Sequence, residues 1–551
     1  MFASHAIGRG CCTAIRYTQA GTPEVVASNM ALDPAANTWT VTLAQSCRRG
    51  PGHAPLPLHI PVVVGLLDAV TGQEVLPSTT LELTEAEQTF TLALPRVETP
   101  ATAVVPSLLR GFSAPVRFSC DPPLSDATLA FLMEHDTDAF NRWEASQTLS
   151  TRVLLQAANH AIDSATGSGA NAADAGAAGA AGAAGAAGAA GAAGAAGAAA
   201  VTYCFPPVPA HLVVAFSGSL AQALVSGGDG SGGGSECKGS SGDGDGGSGD
   251  VRALLAAALA LPSVGELSDA QAAAQRPVDP LVLAAARRHV KAQLAASARG
   301  LLERVYAHTA PRPVTDGADG FSTSGAEVGR RALRNLCLDF LAAADAATEV
   351  AAGNADRGKA DRGGALAFAQ YSAATCMTDR LAALHALVDH CAPGNTHRER
   401  ALAAFKADAG RDALVVNKWF SAQASAASAA EVAASLLAHP DFSWSNPNRL
   451  RSVVAVFAGN AEGFHAADGA GYALLADAVL RVDSFNPQIA ARLCGTLSLW
   501  RRYGTNTPRG QAMRAQLERI LAASPPISKD VFEIASRSLK DLGQDLSQGE
   551  A

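Results

Sequence analysis

A chain of 551 residues, 48% apolar but only 5% aromatic, has room for two to four domains at roughly 100–200 residues each, and its alanine-rich apolar share favours close helix packing over large aromatic cores. Lys plus Arg against Asp plus Glu gives 42 − 50 = −8 with no basic block, which excludes a nucleic-acid partner, and no apolar run approaches the ~20 residues that span a bilayer, which excludes a membrane partner. Ten scattered cysteines without Cys-x-x-Cys spacing fit a reducing compartment.

Residues 1–16 are expected to be disordered. They lack the apolar core of a secretory signal, so the cytoplasm is expected; Arg9 and Arg16, with no acid before Glu24, leave a plastid or other organelle open. Residues 17–121 carry short strand signals bounded by Pro, Gly and Asp. Trp39, Val41 and Leu43 face one way and Thr40 and Thr42 the other; Phe90, Leu92 and Leu94 alternate likewise with Thr89 and Thr91. Leu58–Asp68 reads as a continuous apolar strand followed by a turn to Gly72, and Val116 with Phe118 supplies another. About seven strands over ~100 residues predict an immunoglobulin-like β-sandwich.

From 122 to 545 the period becomes helical. Ser125 or Asp126 can cap a helix through Leu129, Leu132 and Met133, and a longer helix is expected from about Thr137 past Trp143 towards Ala158. Two low-complexity inserts, at about 163–200 and 226–250, interrupt this part. The first carries Gly at every third position from Gly176 to Gly197 with Ala between; without proline it is no collagen tract, and in a helix each Gly would cost ~1 kcal/mol relative to Ala, so disorder is expected. The second is a Gly, Ser and Asp linker, within which Gly228-x-Gly230-x-x-Gly233 matches a dinucleotide fingerprint formally but has no strand before it or helix after it.

Further on, Asn446-Pro447 recurs as Asn486-Pro487. Each pair places an N-cap before a proline at the first helical position, and the 40-residue spacing is that of paired-helix repeats. The first should launch a helix through Arg449, Arg451, Val454 and Phe457 that stops at Gly459. The predicted architecture is therefore α+β and multidomain: an N-terminal immunoglobulin-like sandwich followed by an all-α HEAT/armadillo-like superhelical solenoid.

Chemical motifs are sparse. His385 and His390 stand at i, i+5, on different helix faces, and with Cys391 read as ordinary surface or core residues rather than metal ligands. In Asn417-Lys418-Trp419-Phe420 the rings are expected in the core and Lys418 in solvent. Arg449, Arg451 and Arg492 lie near helix starts, where N–H dipoles add to their field; that combination suits peptide carboxylates, while the plainer reading pairs them with neighbouring acids.

Ser443–Tyr472 resembles the C-terminal region of bacterial-type alanyl aminopeptidases, the aminopeptidase N family of zinc enzymes. Gln19-Ala-Gly-Thr-Pro23, Leu56-Pro-Leu-His-Ile-Pro61, Leu83-Thr-Glu-Ala-Glu-Gln-Thr-Phe90, Phe112-Ser-Ala-Pro-Val116, Arg331-Ala-Leu-Arg-Asn-Leu-Cys-Leu338, Met377-Thr-Asp379, Asn417-Lys-Trp-Phe420 and Asn486-Pro-Gln488 follow the family's order. The resemblance implies the last two of four domains. The preceding half of that family holds zinc through His-Glu-x-x-His and a distant Glu and recognises the substrate amine through Gly-x-Met-Glu-Asn. Neither motif occurs here, and none of the 13 histidines is followed by Glu. The resemblance thus implies a non-catalytic portion, without a cofactor of its own, that caps the active site of a catalytic half on the same or a separate chain. Peptides would be its other partner, and Arg449, Arg451 and Arg492 would look towards the substrate cavity. Alone, it is expected not to hydrolyse peptides. The alternative is a free-standing α-solenoid that binds another protein.

Overall fold

The computed structural model describes residues 21–47, 57–95, 103–167, 203–225, 247–311, 322–351, 362–426 and 429–540. Residues 1–16, the Gly176–Gly197 tract and the glycines at 228, 230 and 233, for which disorder or a linker was expected, lie outside them. Both inserts are narrower than expected where they are described. The helix Ala139–Gly167 runs past 163, because Ile162 to Thr166 contains no breaker, and the helix Gly247–Leu259 begins before 250, drawn in by the apolar run that buries Leu255 and Leu259.

The chain divides into two compact units. The first holds the described residues of 1–150, 209–241 and 250–260, and the second holds the rest. In the first, seven strands are described: β1 Glu24–Asp33, β2 Thr38–Ser46, β3 Ile60–Asp68, β4 Glu74–Leu83, β5 Glu87–Ala93, β6 Val104–Leu108 and β7 Arg117–Cys120. One sheet has the order β5-β2-β1-β7, with β7 parallel to β1; the other is β4-β3-β6. Period-two alternation sends Trp39, Val41 and Leu43 into the core with Val62, Val64, Leu81 and Leu83. Opposite β2, Phe90 pairs with Val41 and Leu92 with Trp39. Thr42, expected to face outward, is also buried: its hydroxyl lies 3.0 Å from that of Thr89, which stays exposed on the same face. The turn after β3 is closed by Asp68 Oδ1, which accepts from the Val70 and Thr71 amides, with Gly72 at φ +71°.

Arg110 joins the sandwich to the helices of the same unit. Gly65, within β3, leaves the space it occupies, since a Cβ there would overlap the guanidinium. Arg110 donates to Ser107 Oγ (2.8 Å), Ser78 Oγ (3.1 Å) and Asp136 Oδ1 (3.3 Å), and pairs with Glu74. Asp136 ends the helix Asp126–His135, which Ser125 caps by accepting from the Thr128 amide. Asn141, in the first turn of the next helix, donates to Ser107 Oγ and the Leu108 carbonyl.

The second unit is built of paired helices. Met377–His390 packs on Arg362–Ala373, Pro280–Ser297 on Gly325–Ala351, and Ala470–Asp483 on Pro487–Leu497. Alanine at the contacts allows close approach, as at Ala342, Ala367, Ala383 and Ala401 around Leu384, Leu387 and Phe405. The polar-cap-then-proline start occurs at Asn446-Pro447 and Asn486-Pro487 and again at Asp279-Pro280 and Thr507-Pro508; in each the cap side chain accepts from amides of the first turn. An immunoglobulin-like sandwich followed by repeat-like helices is thus the observed architecture. Among the described residues no single helix is long and apolar enough to cross a membrane.

Candidate functional site

The segment from Ser443 to Tyr472 begins with Asn446, whose Oδ1 accepts from the Asn448 amide (3.0 Å) and the Arg449 amide (3.2 Å) ahead of the helical turn Pro447–Leu450. The expected helix then widens into a π-turn, Arg451–Ala455, before Val456–Ala458 ends at Gly459. Val453, Val454 and Phe457 are buried throughout, so the wider turn keeps the apolar face inward. Replacing Asn446 with Ala removes the cap and should cost about 1 kcal/mol, read as faster amide exchange across 447–458; Asn446→Gly should cost only a few tenths.

The three arginines occupy different settings. Arg449 is only 7% exposed, with its guanidinium 5.0 Å from the Phe420 ring centroid and its Nη1 without a hydrogen-bond partner among the described residues. Asp441 supplies its nearby negative charge, and a hydrogen bond from Lys406 (2.5 Å) holds that carboxyl below the ordinary carboxylate range. Arg451 and Arg492 are exposed and have no ion pair among the described residues. The structure does not gather them around one neighbour: the π-turn carrying Arg451 packs on the helix Ala413–Ser425, and the helix carrying Arg492 packs on Ala470–Asp483.

Aromatic rings run beneath this region. Trp419 meets Phe420 edge-on at 5.0 Å, Phe420 lies 6.1 Å from Phe442, and Phe442 meets Trp444 at 5.2 Å; Arg481 covers Trp444 at 4.2 Å. Phe420 is fully buried and Trp419 partly so, its Nε1 donating to the Leu402 carbonyl (3.0 Å). Lys418, expected in solvent, is half-buried. Trp444 and Arg481 also line a groove of about 470 Å³ between the helices Ala430–Leu437 and Ala470–Asp483, with Leu437, Leu474, Glu431 and Asp477.

His390 does not join His385 at a metal. Its Nε2 lies 2.8 Å from Asp339 Oδ1, and Lys291 Nζ lies 2.5 Å from Asp339 Oδ2. Burial opposes ionisation of Asp339, but the His390 hydrogen bond and the Lys291 charge outweigh it and hold the carboxyl well below its usual range. Beside it, burial pushes Asp389 up despite His390 and His385. This cluster was invisible to spacing arguments, because its members come from three helices separated by 48 and 51 residues in sequence. A second buried group joins His465 Nδ1 to the Tyr472 hydroxyl (2.8 Å); Tyr472 in turn pairs with Arg509, which lies 3.3 Å from Asp279. Burial drives His465 down to about 3, so its ring is neutral.

Among the described residues no set of three or more His, Cys, Asp or Glu side chains is placed to hold a metal ion, so zinc does not fit the residues described.

The fold defines a class, an immunoglobulin-like sandwich followed by helical repeats. Two family descriptions match it: a domain of unknown function with an Ig-like fold (DUF3458) over 21–121, and one with ARM repeats (DUF3458_C) over 126–188 and 248–540. The chain belongs to that family, the Ig-like and ARM-repeat domains found in the C-terminal half of aminopeptidase N. It is 36% identical to aminopeptidase N of Caulobacter vibrioides over 527 residues and 29% identical to that of Escherichia coli over 536, in both cases across 95% of this chain and 49% of the relative. The chain therefore spans about half the length of the curated relatives it matches. The crystal structure of Legionella pneumophila aminopeptidase A in complex with aspartic acid shares the fold, with a TM-score of 0.62 at 22% identity over 94% of this chain and 49% of that one.

Proposed function

We propose that this polypeptide is the accessory C-terminal portion of a zinc-dependent alanyl aminopeptidase, covering the active site of a catalytic half and shaping the path by which peptides reach it. The observation that carries the reading is the 36% identity over 527 residues to an aminopeptidase N of which the chain covers 49%. Arg451 and Arg492, exposed and without ion pairs among the described residues, are the groups to meet carboxylates of a peptide's downstream part; Arg449, packed on Phe420, holds the segment that carries Arg451. Zinc belongs to the catalytic half in this scheme. A reducing compartment, the cytoplasm or an organelle such as a plastid, is proposed from the scatter of the cysteines.

The purified chain, assayed with zinc and an alanyl chromogenic substrate, should show no turnover above the buffer rate. Joined to the portion of the Caulobacter relative that lies outside the match, it should give turnover, and Arg451→Ala with Arg492→Ala should raise KM for tripeptides by roughly tenfold while sparing an alanyl anilide that has no downstream carboxylate. Turnover by the chain alone, lost on chelation, would overturn the reading.

A further inference from the structure

One surface of the first unit has no part in anything above. Phe112 is 44% exposed and Trp143 is 36% exposed, and Phe140 lies between them with ring centroids at 5.4 and 5.9 Å. The backbone holds Phe112 there at a cost. Leu109, Gly111 and Phe112 have φ of +55°, +61° and +51°, and a left-handed non-glycine residue costs on the order of 1 kcal/mol. The buried Arg110 network and a hydrogen bond from the Gly111 amide to Asp138 Oδ2 (3.0 Å) keep the turn in that state. A strained turn, clamped by buried polar groups, thus presents a large apolar ring to solvent.

Resting on the accessory reading, we propose that Phe112, Phe140 and Trp143 anchor an interface with the half of the aminopeptidase relatives that this chain's match leaves uncovered. The chain aligns across 95% of its own length with relatives of which it covers 49%, so each relative carries about as much polypeptide again to meet this face. Clustered aromatic anchors are the residues that dominate binding energy at interfaces. With only partial exposure on two rings of about 150–250 Å² each, the patch is far smaller than the roughly 800 Å² per partner of a stable dimer, so it suits the centre of a larger heterologous surface better than two copies of itself.

The test mixes the full chain with the uncovered portion of the Caulobacter relative, whose fold is checked by circular dichroism, and measures binding by calorimetry. The double variant Phe112→Ser, Trp143→Ser should bind at least roughly tenfold more weakly than the parent. Equal binding by parent and variant overturns the anchor and leaves the accessory reading standing; no binding by the parent to the folded probe overturns both. Amide exchange of the parent, which needs no substitution, should show residues 108–116 and 139–147 protected in the complex, and lack of protection there overturns the anchor. Self-association of the parent that the variant abolishes would also overturn it.

Discussion

Replacing Arg110 with methionine should destabilise the first unit by about 3–5 kcal/mol, the usual loss when one partner of a buried ion pair is removed. The side chain fills a space that Gly65 leaves open and serves Glu74, Ser78, Ser107 and Asp136 at once. Methionine keeps most of the volume but none of the donors. Asp136 is then the critical group: it is buried, its Oδ2 already lacks a hydrogen-bond partner among the described residues, and burial pushes its carboxyl up even with Arg110 present. In the variant it should rise further. The sign of the pH dependence follows. Below the parent's raised folded value Asp136 is protonated in both folded proteins and this part of the loss vanishes; above it the carboxyl ionises in the parent but not in the variant, so the loss grows by about 1.4 kcal/mol per pH unit until the variant's group titrates as well. Amide exchange of β3 and β6 in urea at pH 7 and pH 4 should show the larger difference at pH 7, and Asp136→Asn should recover part of it. A variant equally stable with its parent at both pH values would show that the network contributes nothing.

Much of this fold was legible because its local signals agree with its tertiary ones. Trp39, Val41 and Leu43 alternate in sequence and fill the core in the structure, and Asn446-Pro447 and Asn486-Pro487 both cap helices. The illegible parts involve interactions between distant residues or departures from regular period. In β1 a bulge between Ser28 and Ala31, with Asn29 at φ +51°, breaks the alternation. The π-turn that starts at Arg451 breaks the helical period in the same way. Arg110 gave no motif at all. Its one trace was Gly65 inside an otherwise apolar strand, where a missing side chain signals close approach, but the partner comes from 45 residues later.

The arginines show the same limit at the candidate site. Nearness to a helix start is a property of sequence, whereas packing over Phe420 or standing free in solvent is a property of neighbouring helices. Arg449 and Arg451 are two residues apart, so an α-helix would turn them about 200° from each other, and the structure buries one and exposes the other. The resemblance to aminopeptidase N put all three in one set; the structure gives Arg449 a buried setting and the other two exposed ones.

The second large effect is expected from acid, through His465. This ring is 6% exposed, lies against Phe464, Tyr472 and Tyr503, and shares a hydrogen bond with the Tyr472 hydroxyl (2.8 Å). Burial first, then the charge of Arg509, lowers it to about 3. Since the unfolded histidine titrates near 6.5, its contribution is fully present above that value and is lost progressively as pH falls towards 3, where the folded ring at last takes the proton. The span sets an upper limit of roughly 5 kcal/mol, and a few kcal/mol is the realistic scale for a buried group that can relax. Asp339, held well below the ordinary carboxylate range, acts in a different window, its contribution present above about 3.9 and lost below it; His289, which burial also lowers, shares the interval from 6.5 to 4.5, so the part due to His465 is the difference between parent and variant there. His465→Asn keeps an acceptor for Tyr472 and removes the titration. Far-UV circular dichroism, which follows the helical unit, should show the parent's urea midpoint falling between pH 6.5 and 4.5 more steeply than the variant's, although the variant starts lower at pH 8 for lack of ring contacts. Parallel slopes would mean that His465 takes its proton in the folded chain at the same pH as in the unfolded one, and the neutral buried ring would be wrong.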